Sequence, residues 1–221
     1  MTRKLFAYVL LAVLASATVS LAACGNVVGS GNVKTETRNV SGFSGVALSG
    51  AGALNIAQTG VESLSITAED NILPLITTQV VNNKLEISYQ SGTTFQPTKP
   101  VIFNLTVKTL DALDISGAGN VTATGITATA LTINLSGAGN ISVSGTTQSQ
   151  DVSLSGAGSY SARDLTSQNA TVHLSGVGKA TVTVSGTLDA TVSGAGNVTY
   201  YGNPASVKQN ISGIGSVKQG T

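Results

Sequence analysis

Residues 131–145, LTINLSGAGNISVSG, alternate apolar and polar positions on both sides of a Ser-Gly-Ala-Gly break. A period of two is that of strands with one buried face. The Ser-Gly-x-Gly break recurs at Ser49, Ser116, Ser136, Ser155, Ser175, Ser193 and Ser212, the last six spaced by 20, 19, 20, 18 and 19 residues. Such regularity marks a repeat architecture, so each break is read as one member of a series. Aligned on the serine, the preceding position is always apolar (Ile115, Leu135, Leu154, Leu174, Val192, Ile211). The position before that is always polar: Asp114, Asn134, Ser153, His173, Thr191 and Asn210. One column is expected to face a core and its neighbour to face water. The fifth position after the serine (Val121, Ile141, Tyr160, Ala180, Val198, Val217) and the residue between the glycines (Ala118, Ala138, Ala157, Val177, Ala195, Ile214) are expected to be further inward columns.

A repeat this short cannot bury its own apolar face, so neighbouring units must stack. The pattern therefore predicts an all-β fold, a right-handed parallel β-helix or β-solenoid with rungs of about 19 residues rising roughly 4.8 Å each. Leucine-rich repeats are excluded because their helical half is missing. The motif glycines are expected to supply positive φ and close approach between rungs.

Residues 40–58 read as a further unit around Ser49, after which the period breaks. Residues 61–100 are expected to form an irregular insertion or cap over one end, with a strand pair turning near Asn82-Asn83. Regular rungs fill about 101–221, so 33–221 is read as one solenoid domain, preceded by a flexible tether at 24–32.

The first 23 residues have another character. Arg3 and Lys4 precede the apolar run LFAYVLLAVLASATVSLAA, the form of a secretory signal, although its length also suits a spanning helix. Leu21-Ala22-Ala23-Cys24 resembles the bacterial lipobox, in which the leader is cut before a cysteine that becomes lipidated. Cys24 is the only cysteine, so it has no partner in the chain for a disulfide or a thiolate metal site. We read 1–23 as a lipoprotein signal peptide and expect the domain outside the cytoplasm, lipid-anchored at Cys24 to the outer membrane or cell surface.

Charge narrows the chemistry further. Only 10% of residues are charged, and the formal net charge is +1. No basic cluster or aromatic platform is available for nucleic acid. The glycine pairs lack the lysine of a phosphate loop and are followed by strand-forming residues, which argues against nucleotide binding. After the glycines stand Asn120, Asn140, Ser159, Lys179, Asn197 and Ser216 where a calcium-binding repeat needs aspartates. No cofactor or metal is therefore expected; these asparagines are expected to form side-chain ladders.

His173 is the sole histidine and stands in the polar column, where an exposed ladder position accounts for it. Asp151 and Asp189 each lie four before a motif serine and two rungs apart, a separation of roughly 9.6 Å, near the upper end for an inverting glycosidase pair. The arginines and aromatic residues that would hold a sugar do not gather there, so a polysaccharide-cleaving enzyme is the lesser reading. The leading one is a non-enzymatic, lipid-anchored envelope module, an adhesin-like binder or a structural spacer, whose strip Asp114, Asn134, Ser153, His173, Thr191 and Asn210 is the surface open to a glycan or a surface protein.

Three stretches carry a family resemblance: GSGNVKTETRNVSGFSGVALSGAGALNIAQTG at 29–60, the recurrent SGAGN, and the ending YYGNPASVKQNISGIGSVKQG. With these, the chain resembles the bacterial extracytoplasmic family of auto-transporter adhesin head GIN domains. The resemblance implies a β-helix-like fold, often behind a signal or lipid anchor, and implies no catalytic residues.

Overall fold

The structure, a computed structural model, describes residues 26–221. The leader and Cys24 lie outside the described residues. Strands β1 (Asn26–Val28), β2 (Val33–Arg38), β3 (Gly45–Ser49), β4 (Gly52–Gln58), β5 (Ser63–Glu69), β6 (Ile76–Val81), β7 (Lys84–Tyr89), β8 (Thr94–Gln96), β9 (Ile102–Val107) and β10 (Ala112–Ile115) precede the repeats. The long strands β11 (Ala118–Leu135), β12 (Ala138–Leu154), β13 (Ala157–Leu174) and β14 (Val177–Val192) follow, then β15 (Ala195–Tyr201), β16 (Ser206–Ile211) and β17 (Ile214–Gln219). A single 3-10 turn, Leu73–Leu75 with Pro74 inside it, is the only helical element among the described residues.

The fold is a parallel β-solenoid of about 5 coils. Each long strand bends along its length, with register shifts at Ala123/Ile126, Ser142/Gly145 and Ala162/Thr166. Such irregularities let a strand turn a corner while its ladder resumes beyond it. The aligned serine columns are true spatial columns. Ile115 pairs with Leu135, and the line continues through Leu154, Leu174 and Val192 to Ile211. Leu48 joins it through Ile115, so residues 45–58 are a rung, and Ile87 adds one more member through Leu48. The line is buried from Ile87 to Val192 and surfaces only at Ile211 in β16, which pairs with β14 alone. The column from Val121 to Val217 is likewise buried.

One expected inward column faces out. The residues between the glycines are exposed, with Val177 at 63% and Ile214 at 84%. The cause is strand parity: Ile115, Gly117, Gly119 and Val121 share one parity, and Ala118 has the other. Its apolar character therefore does not come from burial. The role of the glycines also differs from expectation. Of the motif glycines only Gly50, Gly52 and Gly139 have positive φ, at 153°, 154° and 158°, at the margin of extended backbone. What requires glycine is approach: a Cβ on Gly137 would fall on the carbonyl oxygen of Gly117, one on Gly156 on that of Gly137, and one on Gly176 on that of Gly156. Clearly positive φ belongs instead to glycines outside the motif, such as Gly31 at 82° and Gly125 at 69°, and to Asn82 and Asn83, at 49° and 63°, the two-residue turn between β6 and β7.

The N-terminal part extends both faces of the first rung. β7 pairs in parallel with β3 and in antiparallel with β6, while β9 lies parallel to β4 and antiparallel to β5, which in turn pairs with β2. The edge strand β2 carries Lys34, Glu36 and Arg38, charges that discourage edge-to-edge association. Residues 26–31, within the stretch expected to be a flexible tether, are tied down. β1 pairs with β8, and the Gly29 amide donates to the Gln96 carbonyl at 3.0 Å.

Glu69 fastens this corner. It is buried, and its carboxylate accepts from the Gly31 amide at 2.7 Å, the Thr98 amide at 2.9 Å and the Thr98 hydroxyl at 2.6 Å. These bonds, the Thr98 hydroxyl foremost, hold its carboxyl below the ordinary value of 4.5 although burial opposes them. A depressed carboxyl stabilises the fold above its unfolded value, and that stabilisation is lost as pH falls through the lower folded value. Acid titration of unfolding should therefore show a loss below pH 4.5 that is smaller in Glu69→Gln, whose own stability at neutral pH is reduced.

Inside the coils one polar chain interrupts the aliphatic core. The Tyr160 hydroxyl donates to Gln150 Oε1 at 3.0 Å, Gln150 Nε2 donates to Ser167 Oγ at 2.8 Å, and Ser167 donates to the Thr183 carbonyl at 2.8 Å. All three side chains are buried, at 1%, 2% and 1% exposure for Tyr160, Gln150 and Ser167. Each buried donor ends on an acceptor, which is the condition for such a network to be tolerated.

Candidate functional site

The six residues of the polar column stand side by side in one register. Asp114 is opposite Asn134, followed by Ser153, His173, Thr191 and Asn210. The line continues past the repeats through Ala47 and Glu86 to Gln79. Nine adjacent strands thus present one column, about 38 Å long at the usual strand spacing.

Its two halves differ. Toward the N-terminal end the side chains bind one another: Gln79 Nε2 donates to Glu86 Oε2 at 2.8 Å, and Asn134 Nδ2 donates to Asp114 Oδ1 at 2.7 Å. Lys84 reaches Asp114 across Gly45, where a Cβ would meet its Cγ at 3.3 Å. Toward the other end, Ser153, His173, Thr191 and Asn210 form no side-chain hydrogen bond with the described residues. Four consecutive strands thus offer uncommitted polar groups on a rigid sheet.

Asp151 and Asp189 lie in the adjacent column, separated by Thr171 as the spacing requires. Asp151 is exposed, Asp189 is half-exposed, and Lys208 Nζ sits 2.8 Å from Asp189. The column's other members are Lys208, Thr171, Thr132 and Ala112, and beyond the repeats Gly45, Lys84 and Val81. The Asp189–Lys208 pair is a surface ion pair worth about 0–1 kcal/mol. Asp189→Asn should shift the urea midpoint little, and less again in high salt.

The asparagine positions after the glycines do form ladders. Asn140 Nδ2 donates to Asn120 Oδ1 at 3.1 Å, Ser159 Oγ to Asn140 Oδ1 at 2.6 Å, and Ser216 Oγ to Asn197 Oδ1 at 2.8 Å. The motif serines do so at one end only, where Ser116 Oγ donates to Ser49 Oγ at 3.0 Å. Among the described residues no three His, Cys, Asp or Glu side chains converge on a metal position. No helix among them is long and apolar enough to cross a membrane.

Two features escaped the reading of the repeats. The extension of the strip through Glu86 lies outside the period, yet KLEISY at 84–89 alternates in step with the rungs and supplied a signal. Gln150 occupies the inward column of Leu131, Ala170, Leu188 and Val207, where a lone polar residue among aliphatics signals a buried partner.

A family model described as "Putative auto-transporter adhesin, head GIN domain" matches residues 42–204. A search of curated proteins gave no match. Among solved structures, a putative adhesin from Bacteroides fragilis NCTC 9343 is similar at 25% identity and TM-score 0.74, over 88% of this chain and 100% of its own. A putative adhesin and a putative lipid binding protein, both from Parabacteroides distasonis ATCC 8503, are each 20% identical over 89% of this chain and 100% of theirs. Their TM-scores are 0.55 and 0.54 respectively, a likeness of fold.

Proposed function

Because the chain belongs to the family of auto-transporter adhesin head GIN domains, we propose that it is a non-enzymatic, lipid-anchored envelope protein whose solenoid flank binds a surface ligand. The observation that carries this reading is the open half of the strip, Ser153, His173, Thr191 and Asn210, uncommitted hydrogen-bonding groups in register on four adjacent strands. A stacked sheet loses little backbone entropy on binding, and neutral polar groups at regular spacing suit a partner that is itself polar and extended. The pairing of Asp189 with Lys208 on an open flank speaks against hydrolysis at the neighbouring carboxylates.

Cys24 supplies the anchor in this reading, through the lipobox Leu21-Ala22-Ala23-Cys24. Cells expressing the full chain with labelled fatty acid should lipidate it, and Cys24→Ala should abolish labelling and release the protein from the membrane fraction. Label retained by that variant would end the anchor assignment. Ligand binding is tested by screening the full chain against envelope glycans and surface proteins, where His173→Ala with Thr191→Ala should weaken the interaction about tenfold or more.

A further inference from the structure

A second polar surface lies on another face, where β5, β9, β4 and β11 run side by side. Asn55 pairs in register with Asn104 on one side and Thr122 on the other, and Asn104 pairs with Ser65. One row across the sheet therefore reads Ser65, Asn104, Asn55, Thr122: hydroxyl, amide, amide, hydroxyl, spanning about 14 Å. The next row reads Ser63, Thr106, Ala57, Thr124. Ala57 is the one small residue of that row, and its short side chain leaves a depression between Thr106 and Thr124. The groove has a volume of about 320 Å³ and no charged side chain among its lining residues.

The hydrogen bonds leave a specific set of groups unspent. Asn55 Nδ2 donates to Asn104 Oδ1 at 2.9 Å, which orients both amides. Asn55 Oδ1 and Asn104 Nδ2 have no partner among the described residues, and neither do the hydroxyls of Ser65 and Thr122. The second row is occupied: Ser63 and Thr106 bond each other at 2.8 Å, and the Thr124 hydroxyl donates to the Ile56 carbonyl at 3.3 Å. The groove thus offers, in one line, an acceptor, a donor and two hydroxyls beside the methyl of Ala57.

We propose that this groove is a binding site for an uncharged saccharide chain. The free Asn55 acceptor and Asn104 donor stand on neighbouring amides flanked by two hydroxyls, a row that successive hydroxyls of a sugar chain can pair with, and a pyranose ring alternates hydroxyls with C–H faces that need an apolar seat. A charged ligand would lose hydration without a counter-charge here. A peptide strand would need free backbone groups, which on this face are spent in the ladders on both sides of β4 and β9. The inference rests on the surface-binding reading and assigns it a ligand class and a second location.

The test titrates the full-length protein, in mild detergent, with a panel of short uncharged hexose oligosaccharides, followed by calorimetry and by amide chemical shifts. The expected result is binding to at least one, weakened about tenfold or more by Asn104→Leu, which keeps volume and removes both polar atoms, and by Ala57→Gln, which fills the depression. Lys218→Ala, exposed and outside both the strip and the groove, should leave it unchanged, and circular dichroism of each variant checks the fold. Saccharide binding that survives both groove variants and is lost in the His173→Ala, Thr191→Ala protein would overturn this site and leave the surface-binding reading standing. Peptide binding sensitive to Asn104→Leu would overturn the saccharide class. No binding to any saccharide or surface protein would overturn both.

Discussion

Gly156→Val is expected to prevent the solenoid from folding, at a cost above about 4 kcal/mol. The Cβ of a side chain there would fall on the carbonyl oxygen of Gly137 in the rung before, with the Ser136 carbonyl carbon at 2.7 Å. Both obstacles are backbone held in a ladder, where the Gly156 amide itself donates to the Leu135 carbonyl at 3.1 Å, so neither can move aside alone. The neighbouring Ala157 gives the opposite result. It is exposed, and its counterpart one rung on is Val177 at 63% exposure, so Ala157→Ser should change stability by no more than about 0.5 kcal/mol. Urea unfolding of the two variants separates close approach from composition. Equal effects at both positions would refute the packing argument.

Tyr160→Phe should cost about 1–3 kcal/mol, because it strands Gln150 Oε1 in the core without its donor. Gln150→Leu should cost a similar amount by stranding the Tyr160 hydroxyl. The double variant should be less destabilised than the sum, since Ser167 still donates to the Thr183 carbonyl. Additive losses would show that the bond contributes nothing specific. The same residue sets an alkaline limit. Burial pushes the Tyr160 phenol up from its ordinary 10.0, and Tyr89, half-buried, is pushed up to about 12 by the same cause. A raised phenol favours the fold fully below pH 10, and that contribution is lost as pH climbs from 10 through the folded value, because the unfolded chain ionises first. In Tyr160→Phe the alkaline loss should shrink to the part due to Tyr89.

The repeats were legible because stacking makes each column a repeated measurement of one environment. Leu135, Leu154 and Leu174 identify a buried line that none of them could identify alone. The same averaging misled where apolar character came from another cause. Ala118, Ala138, Ala157, Val177 and Ile214 are apolar yet exposed, and only strand parity distinguishes them from core residues. Outside the period the signal was weaker. Glu69 reads in sequence as an ordinary surface glutamate in SITAED, and its burial depends on Gly31 and Thr98, brought to it from both directions along the chain. The Asn55–Asn104 pair depends on β9 returning beside β4, a pairing that no spacing encodes. The polar strip was readable within the rungs, whereas which half of it is free depends on Lys84 crossing Gly45 to Asp114.

The in-register columns also make the molecule modular in length. A segment cut from one motif serine to the next contains a residue for every paired column, inward and outward, the rungs differing in length where the register shifts at the bends, so its removal or duplication leaves the paired columns in the same register. Each such change would alter the strip by one outward group and about 4.8 Å. Coils that share the Tyr160 network are the exception, because Gln150 and Ser167 belong to different long strands and must travel together. The length of the solenoid can therefore vary by whole rungs while the surface chemistry of each rung varies independently of the core that supports it.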